Sequence, residues 1–226
     1  MSNHVGGEET ANREMTWKDL RGNLSLGLHA MAQPLAILRA SLCGELAQDM
    51  PVDELRELVS NSADQVERVC SLFSLLQEFL IADMDMPQMA PVPLEPLLSQ
   101  AVDGVIRLFQ DGGKGLDASP AGVGMIVLAD RARLGQVVSS MLLVACGASR
   151  HGESVELVTS HAGEGVLIEI RQSGSETCGL SDEARLFVAL SEAKIRGQLG
   201  RFSWSMKPFS VQIALHFAPP PQTNRG

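Results

Sequence analysis

His29 is the residue of this chain best placed to do chemistry. It lies in the run Leu28-His29-Ala30-Met31-Ala32-Gln33-Pro34-Leu35, five residues before a proline, within a stretch that otherwise reads as one long amphipathic helix. A proline inside a helix deletes a backbone hydrogen bond and clashes with the carbonyl four residues back, at roughly 3 kcal/mol. A kink of that cost beside an imidazole is a signal, because imidazole is a nucleophile near neutral pH. Ser25 and Gln33 lie one turn to either side, and Ala30, Ala32, Ala36 and Ala40 crowd the same segment. Small side chains around a reactive group leave room for a second macromolecule to approach it. The remaining histidines are His4 in the N-terminal tail, His151 in a glycine-rich turn, His161 at a hairpin end and His216 in the last strand. None of them has metal-ligand spacing to a cysteine or carboxylate.

Two helices must position His29. From about residue 17 to 47 the apolar residues fall at Leu20, Leu24, Leu28, Met31, Leu35, Leu38 and Leu42, the alternating three- and four-residue steps of a packed helix. His29 is one residue off that seam, so it is expected at the edge of the buried stripe. Pro51 suits the first turn of a second helix, which carries Val52, Leu55, Val59, Ser62, Val66, Val69, Phe73, Leu76 and Leu80. Each helix is roughly 45 Å long at 1.5 Å per residue. A hairpin of this kind has more apolar stripe than it can cover by itself. Pairing two copies into a four-helix bundle buries the rest, so a homodimer is expected.

The stretch 84–96 contains Pro87, Pro91, Pro93 and Pro96 and reads as a linker. Beyond it the texture changes. A helix is expected over 97–109, a glycine-rich segment over 111–124, a short strand over 125–128 and a helix over 132–148. Strands over 155–160 and 166–171 flank the turn Ala162-Gly163-Glu164-Gly165. A helix over 182–196 and a closing hairpin, 201–206 with 209–217, complete the pattern. The elements mix without a βαβ rhythm, so the class is α+β. The expected organisation is a tail (1–14), a helical hairpin (15–86), an α/β sandwich (92–218) and a second tail (219–226).

The chain has 226 residues, a net charge of -9 and 45% hydrophobic residues. It carries no basic stripe, so neither nucleic acid nor an anionic membrane surface is an expected partner. No run reaches the roughly 18 to 20 apolar residues of a membrane span, and the first dozen residues are polar and partly acidic. Cys43, Cys70, Cys146 and Cys178 are widely spaced and form no CxxC pair. Free thiols in a reducing cytoplasm are expected.

The His29–Pro34–Leu35 spacing resembles the phospho-acceptor box of sensor histidine kinases. The second half is similar to the ATPase-like domain that follows the dimerisation bundle in that family. Asp130-Arg131-Ala132-Arg133-Leu134-Gly135-Gln136-Val137-Val138 resembles the segment before the family's asparagine box. Val166 to Gly174 resembles the strand ending in its Asp-x-Gly motif. The resemblance spans about residues 17 to 218. It implies a dimeric four-helix bundle followed by a histidine-kinase-type sandwich.

The departures from the family are informative. Ser140 and Val144 stand where the family places asparagines that hold magnesium and phosphate, and Gln172 replaces the aspartate that reads adenine. Only Ser175 to Ser181 occupy the place of a lid of some tens of residues. Ala30 replaces the acid that normally follows the acceptor histidine. The resemblance therefore implies a degenerate histidine kinase that is not expected to bind ATP. On this reading it is a histidine phosphotransferase, relaying a phosphoryl group through His29 between receiver domains of response regulators or hybrid kinases. No cofactor of its own is expected, because the magnesium would sit on the receiver. The alternative is a non-catalytic pseudokinase scaffold that binds a receiver or a kinase.

Overall fold

The computed structural model describes residues 17–45, 51–82, 86–119, 124–174 and 179–219. The first element, α1 (Trp17–Glu45), runs unbroken through Pro34, and α2 (Val52–Ala82) folds back along it. Asp53 and Glu54 in the first turn of α2 complement the positive end of its dipole. The two helices meet where Ala30 packs with Leu72 and Leu76. The expected tails, over 1–14 and beyond Pro219, lie outside the described residues.

The second half is an α/β sandwich made of β1 (Ala90–Pro93), α3 (Leu94–Asp111), β2 (Gly115–Ala118), β3 (Ile126–Ala129), α4 (Arg131–Ala148), β4 (Ser154–Ala162), β5 (Gly165–Gln172), α5 (Asp182–Arg196), β6 (Arg201–Met206) and β7 (Phe209–His216). Five strands form one sheet in the order β2-β4-β5-β7-β6, and β1 pairs with β3 in a small separate ribbon. Within the large sheet only β2 and β4 run parallel. Alternation dictates the layering. Val166, Ile168 and Ile170 on β5, and Phe209, Val211, Ile213 and Leu215 on β7, turn to one face and are buried. Against them pack α3, through Leu97, Leu98, Ala101, Val105 and Phe109, and α4, through Leu134, Val138, Met141 and Ala145. The β4–β5 turn needs a glycine, because Gly163 has φ 58°.

Two segments differ from the sequence reading. The proline-rich stretch is not linker throughout, since β1 forms at Ala90 and α3 starts at Leu94. Pro93 serves as the N-cap residue of α3 and Pro96 sits in its first turn, where a missing N–H costs no helical bond. Proline is also tolerated on β1 because that strand pairs on one side only. The glycine-rich stretch contains β2, whose four residues are too few to show alternation. It is recruited by β4, in the register Gly115 to Ser154.

α4 begins at a well-made cap. The Asp130 carboxylate accepts from the N–H groups of Ala132 (3.0 Å) and Arg133 (3.1 Å), and from Gln88 (2.9 Å). Burial raises the Asp130 pKa, but the N–H donors of Arg133, Gln88 and Ala132, together with the Arg133 charge, leave it below its ordinary 3.8. A depressed carboxylate stabilises the fold above its unfolded-state pKa, and the gain is lost as pH falls through the folded value. Asp130→Ala should therefore cost about 2 kcal/mol in urea titrations at neutral pH. The gap to wild type should close progressively below pH 3.8; a gap that persists undiminished in acid would exclude the charged cap as its source.

Candidate functional site

On α1, Ser25, His29, Ala32, Gln33 and Ala36 are all exposed. Their spacing of four, three, one and three residues puts them on a single outward face. Ala30 and Pro34 are buried on the opposite side. The structure thus separates the sequence-selected residues into an open face around His29 and a packed face behind it. Ala30 is 6% exposed and touches the cluster formed by Leu72 and Leu76 of α2 and Leu186 of α5. An acidic residue after His29 would point into this apolar cluster and away from the imidazole face.

The seam of Leu28, Met31 and Leu35 is not covered within the single chain. Leu28 is 64% and Leu35 47% exposed in the single chain, and Met31 is half-buried. The face that α2 and α5 take is Gly27, Ala30 and Pro34. The three- and four-residue steps could not decide this, because two adjacent stripes share the same period. Left uncovered beside Leu28 and Leu35 are Leu42 on α1 and Val59, Val66 and Phe73 on α2. The Ser62 Oγ and Gln65 Oε1 atoms on α2 are buried with no hydrogen-bond partner among the described residues.

Sequence reasoning missed α5 as part of this site. Val188 and Ile195 of α5 belong to the main core, whereas Leu186 belongs to the hairpin cluster. Lys194 is only 8% exposed, and its ammonium donates to Glu78 Oε2 on α2 and Gln136 Oε1 on α4, both at 2.9 Å. Arg68 on α2 faces Glu183 on α5 at 3.5 Å. The available signal was the order Leu186, Leu190, Lys194 at four-residue steps, a charge on an otherwise apolar stripe.

At the positions that resemble a nucleotide site, the chain's own side chains bond to one another. Val144 is buried, and Gln172 is 5% exposed. The Gln172 amide donates to Glu153 Oε2 (2.7 Å) and to the Ala148 carbonyl (3.4 Å). The Glu153 carboxylate also accepts from the Arg150 N–H and lies over Gly174, where a Cβ would collide with it. That N–H, with the Gln172 amide, holds the Glu153 pKa below the ordinary glutamate range. Between α4 and α5 remains a cavity of about 250 Å³ with an apolar lining that includes Leu143, Val144, Leu180 and Phe187. That volume is below the roughly 300 to 1,000 Å³ of ordinary small-molecule sites. Among the described residues no cluster of three or more His, Cys, Asp or Glu side chains could hold a metal ion.

This fold is that of solved histidine kinases. The chain is similar to the Acinetobacter baumannii histidine kinase AdeS, at 17% identity and a TM-score of 0.66 over 84% of this chain and 98% of that one. Full-length ShkA, solved in complex with AMPPNP, aligns at 16% identity and a TM-score of 0.55, over 89% of this chain and 47% of that one. The catalytic domain of the histidine kinase ThkA aligns at 13% identity and a TM-score of 0.51, over 59% of this chain and 99% of the domain. No protein-family model matches the sequence, and no curated protein does either. Among the described residues no helix is long and apolar enough to cross a membrane.

The close fit behind His29 has a measurable consequence. A Cβ built at Gly27 falls inside the buried Leu76 side chain. Glycine to alanine within a helix normally gains about 1 kcal/mol. Gly27→Ala should instead lower the melting temperature, because overpacking costs about 1 to 3 kcal/mol. A rise in melting temperature would show that α1 and α2 are not in contact at this level.

Proposed function

We propose that this chain is a histidine phosphotransferase that relays phosphoryl groups between receiver-domain aspartates through His29, without making them from ATP. The observation that carries the reading is the pairing of an exposed His29, on a proline-marked helix of a histidine-kinase fold, with a nucleotide-like region occupied by Gln172 and Glu153. Magnesium-ATP needs a hard oxygen ligand for the metal and several backbone donors for the phosphates to offset its desolvation. Here the Gln172 amide and the Glu153 carboxylate bond to each other.

The step this site supports is a displacement at phosphorus. The lone pair of the unprotonated imidazole nitrogen of His29 attacks the phosphorus of an aspartyl phosphate. The P–O bond to the aspartate breaks, and its electron pair leaves with the carboxylate. An acyl phosphate is already activated, so the attack needs little base assistance, in keeping with Ala30 after the histidine. Return transfer to a second receiver reverses each step. The magnesium for such a transfer belongs to the acidic pocket of the receiver, and this chain supplies no cofactor. The reading places the protein in the cytoplasm, with residues 15–86 as the acceptor unit and 92–218 as the sandwich unit.

The uncovered stripe of Leu28, Leu35, Val59, Val66 and Phe73 supports a homodimer. A second hairpin would bury it and could supply partners to Ser62 and Gln65. Leu35→Glu or Phe73→Glu would bury an unpaired carboxylate in that interface. Sedimentation should give a wild-type dimer at micromolar concentration and monomers or aggregates for both variants. A wild-type monomer would rule the bundle out.

Function turns on His29. His29→Gln should keep the fold and the dimer, because an exposed side chain adds little packing, and should abolish uptake of label from a phosphorylated receiver. Magnesium-ATP should label neither protein. Label retained by the variant, or found on His151, His161 or His216, would exclude the assignment. Receiver binding with no label at all would select the pseudokinase scaffold.

A further inference from the structure

Within α1 the segment from Gly27 to Pro34 is locally the weakest. Pro34 has no N–H to donate to the Ala30 carbonyl, and Gly27 gives up the helix-favouring Cβ. The helix nevertheless runs unbroken from Trp17 to Glu45. What covers its back is the cluster of Ala30, Leu72, Leu76 and Leu186. Leu72 and Leu76 come from the hairpin itself, but Leu186, 3% exposed, comes from α5 of the sandwich. It shares that cluster with Ala30, the residue next to His29 whose carbonyl lost its donor.

Polar contacts hold α5 in that place. The Lys194 ammonium joins Glu78 of α2 to Gln136 of α4. The Gln198 amide donates to the Lys194 carbonyl (3.1 Å), while its oxygen accepts from Asp130 N–H (2.7 Å). Asp130 in turn takes the N–H of Gln88, in the segment leading out of the hairpin. At the other end of α5, Glu183 faces Arg68.

We propose that the sandwich serves as a buttress for the phospho-acceptor turn, with Leu186 as a positioning residue for His29 and Lys194 as the pin that keeps α5 seated. Its functional consequence rests on the reading of His29 as acceptor; the buttress itself does not. Displacement at phosphorus demands a narrow approach geometry, and a misplacement of about 1 Å can cost on the order of a hundredfold in rate. Leu186 is buried behind the helix and cannot touch a partner that reaches the open face. Its loss should therefore slow the transfer step and leave receiver affinity alone.

The test uses the full chain with Leu186→Ala, Leu186→Met and Lys194→Met, read by amide hydrogen exchange and by phosphotransfer kinetics. Leu186→Ala and Lys194→Met should speed exchange of the amides of residues 27–33 by about tenfold or more, while the amides of β5 and β7 keep their protection. Leu186→Met, of similar volume, should restore the wild-type pattern. The saturating transfer rate from a phosphorylated receiver should fall about tenfold in Leu186→Ala, with the half-saturating receiver concentration unchanged. Unchanged exchange over 27–33 would overturn the proposal. So would acceleration spread equally over β5 and β7, or a slower transfer that appears only as weaker receiver binding. Localised acceleration in a protein whose wild type takes up no label would uphold the buttress and refute His29 as acceptor.

Discussion

The missing hydrogen bond between Pro34 and the Ala30 carbonyl is the constraint around which the first half of the molecule is arranged. With Gly27 one turn earlier, the segment around His29 gives up about 4 kcal/mol of helical stability relative to a run of alanines. Burying one leucine contributes roughly 2 kcal/mol. Leu72 and Leu76 of α2 are both buried against this segment, and together they about match the deficit. Leu186 of α5 is the third, and it puts the balance on the side of an intact helix. The side chain of Ala30 is small enough to let all three approach, which explains why this position suits alanine and why a charged residue would fit badly there. The open face carrying His29 exists because the opposite face is so fully occupied.

The same logic explains a lysine where an apolar residue would ordinarily sit. α5 presents one face to the sandwich core and another to the hairpin, so along it only Arg185 is exposed. At Lys194 the side chain is 10% exposed, while Glu78 opposite it remains 52% exposed. An ion pair with one partner still in water avoids the full desolvation that makes deeply buried pairs unprofitable. The ammonium gains two oxygen partners, from α2 and α4, at fixed distance. Leucines alone would permit α5 to slide along the hairpin, because dispersion contacts are non-directional. Lys194 and Gln198 add direction, and the Asp130 cap connects the same network to the start of α4.

Much of this was legible in the residues. The spacing in α1 and α2, the alternation in β5 and β7, and the Gly163 turn each specify their element, because side-chain periodicity follows backbone geometry. The α+β class followed from them, while the likeness to histidine kinases came from the resemblance of the His29–Pro34–Leu35 box and of the segments beginning at Asp130 and Val166. Three things were not legible. β2 is four residues long and depends on β4 to exist at all. β1 looks like linker because prolines on a one-sided strand and in a first helical turn cost nothing there. The third bears on the site: Leu28 and Ala30 both lie on apolar stripes, and only the docking of α2 and α5 decides which is covered. His29 was visible as a candidate, whereas the support behind it is a cluster that joins Leu186 to Ala30, more than 150 positions earlier.

A kinase that makes phosphohistidine from ATP has to bring its nucleotide domain to the acceptor and withdraw it again. Here the sandwich is seated against the back of α1 by Leu186 and Lys194, on the side from which His29 points away. On the phosphotransfer reading proposed above, the arrangement needs no such movement. It leaves the outward face of α1 free for a separate protein, with Ser25, Ala32, Gln33 and Ala36 around the imidazole presenting little bulk. The Gln172 amide N–H group and the Glu153 carboxylate are bonded to each other, while Gln172 Oε1 is buried with no partner among the described residues. The two halves are then consistent: the α5 helix of the second packs against the first through Leu186 and Lys194.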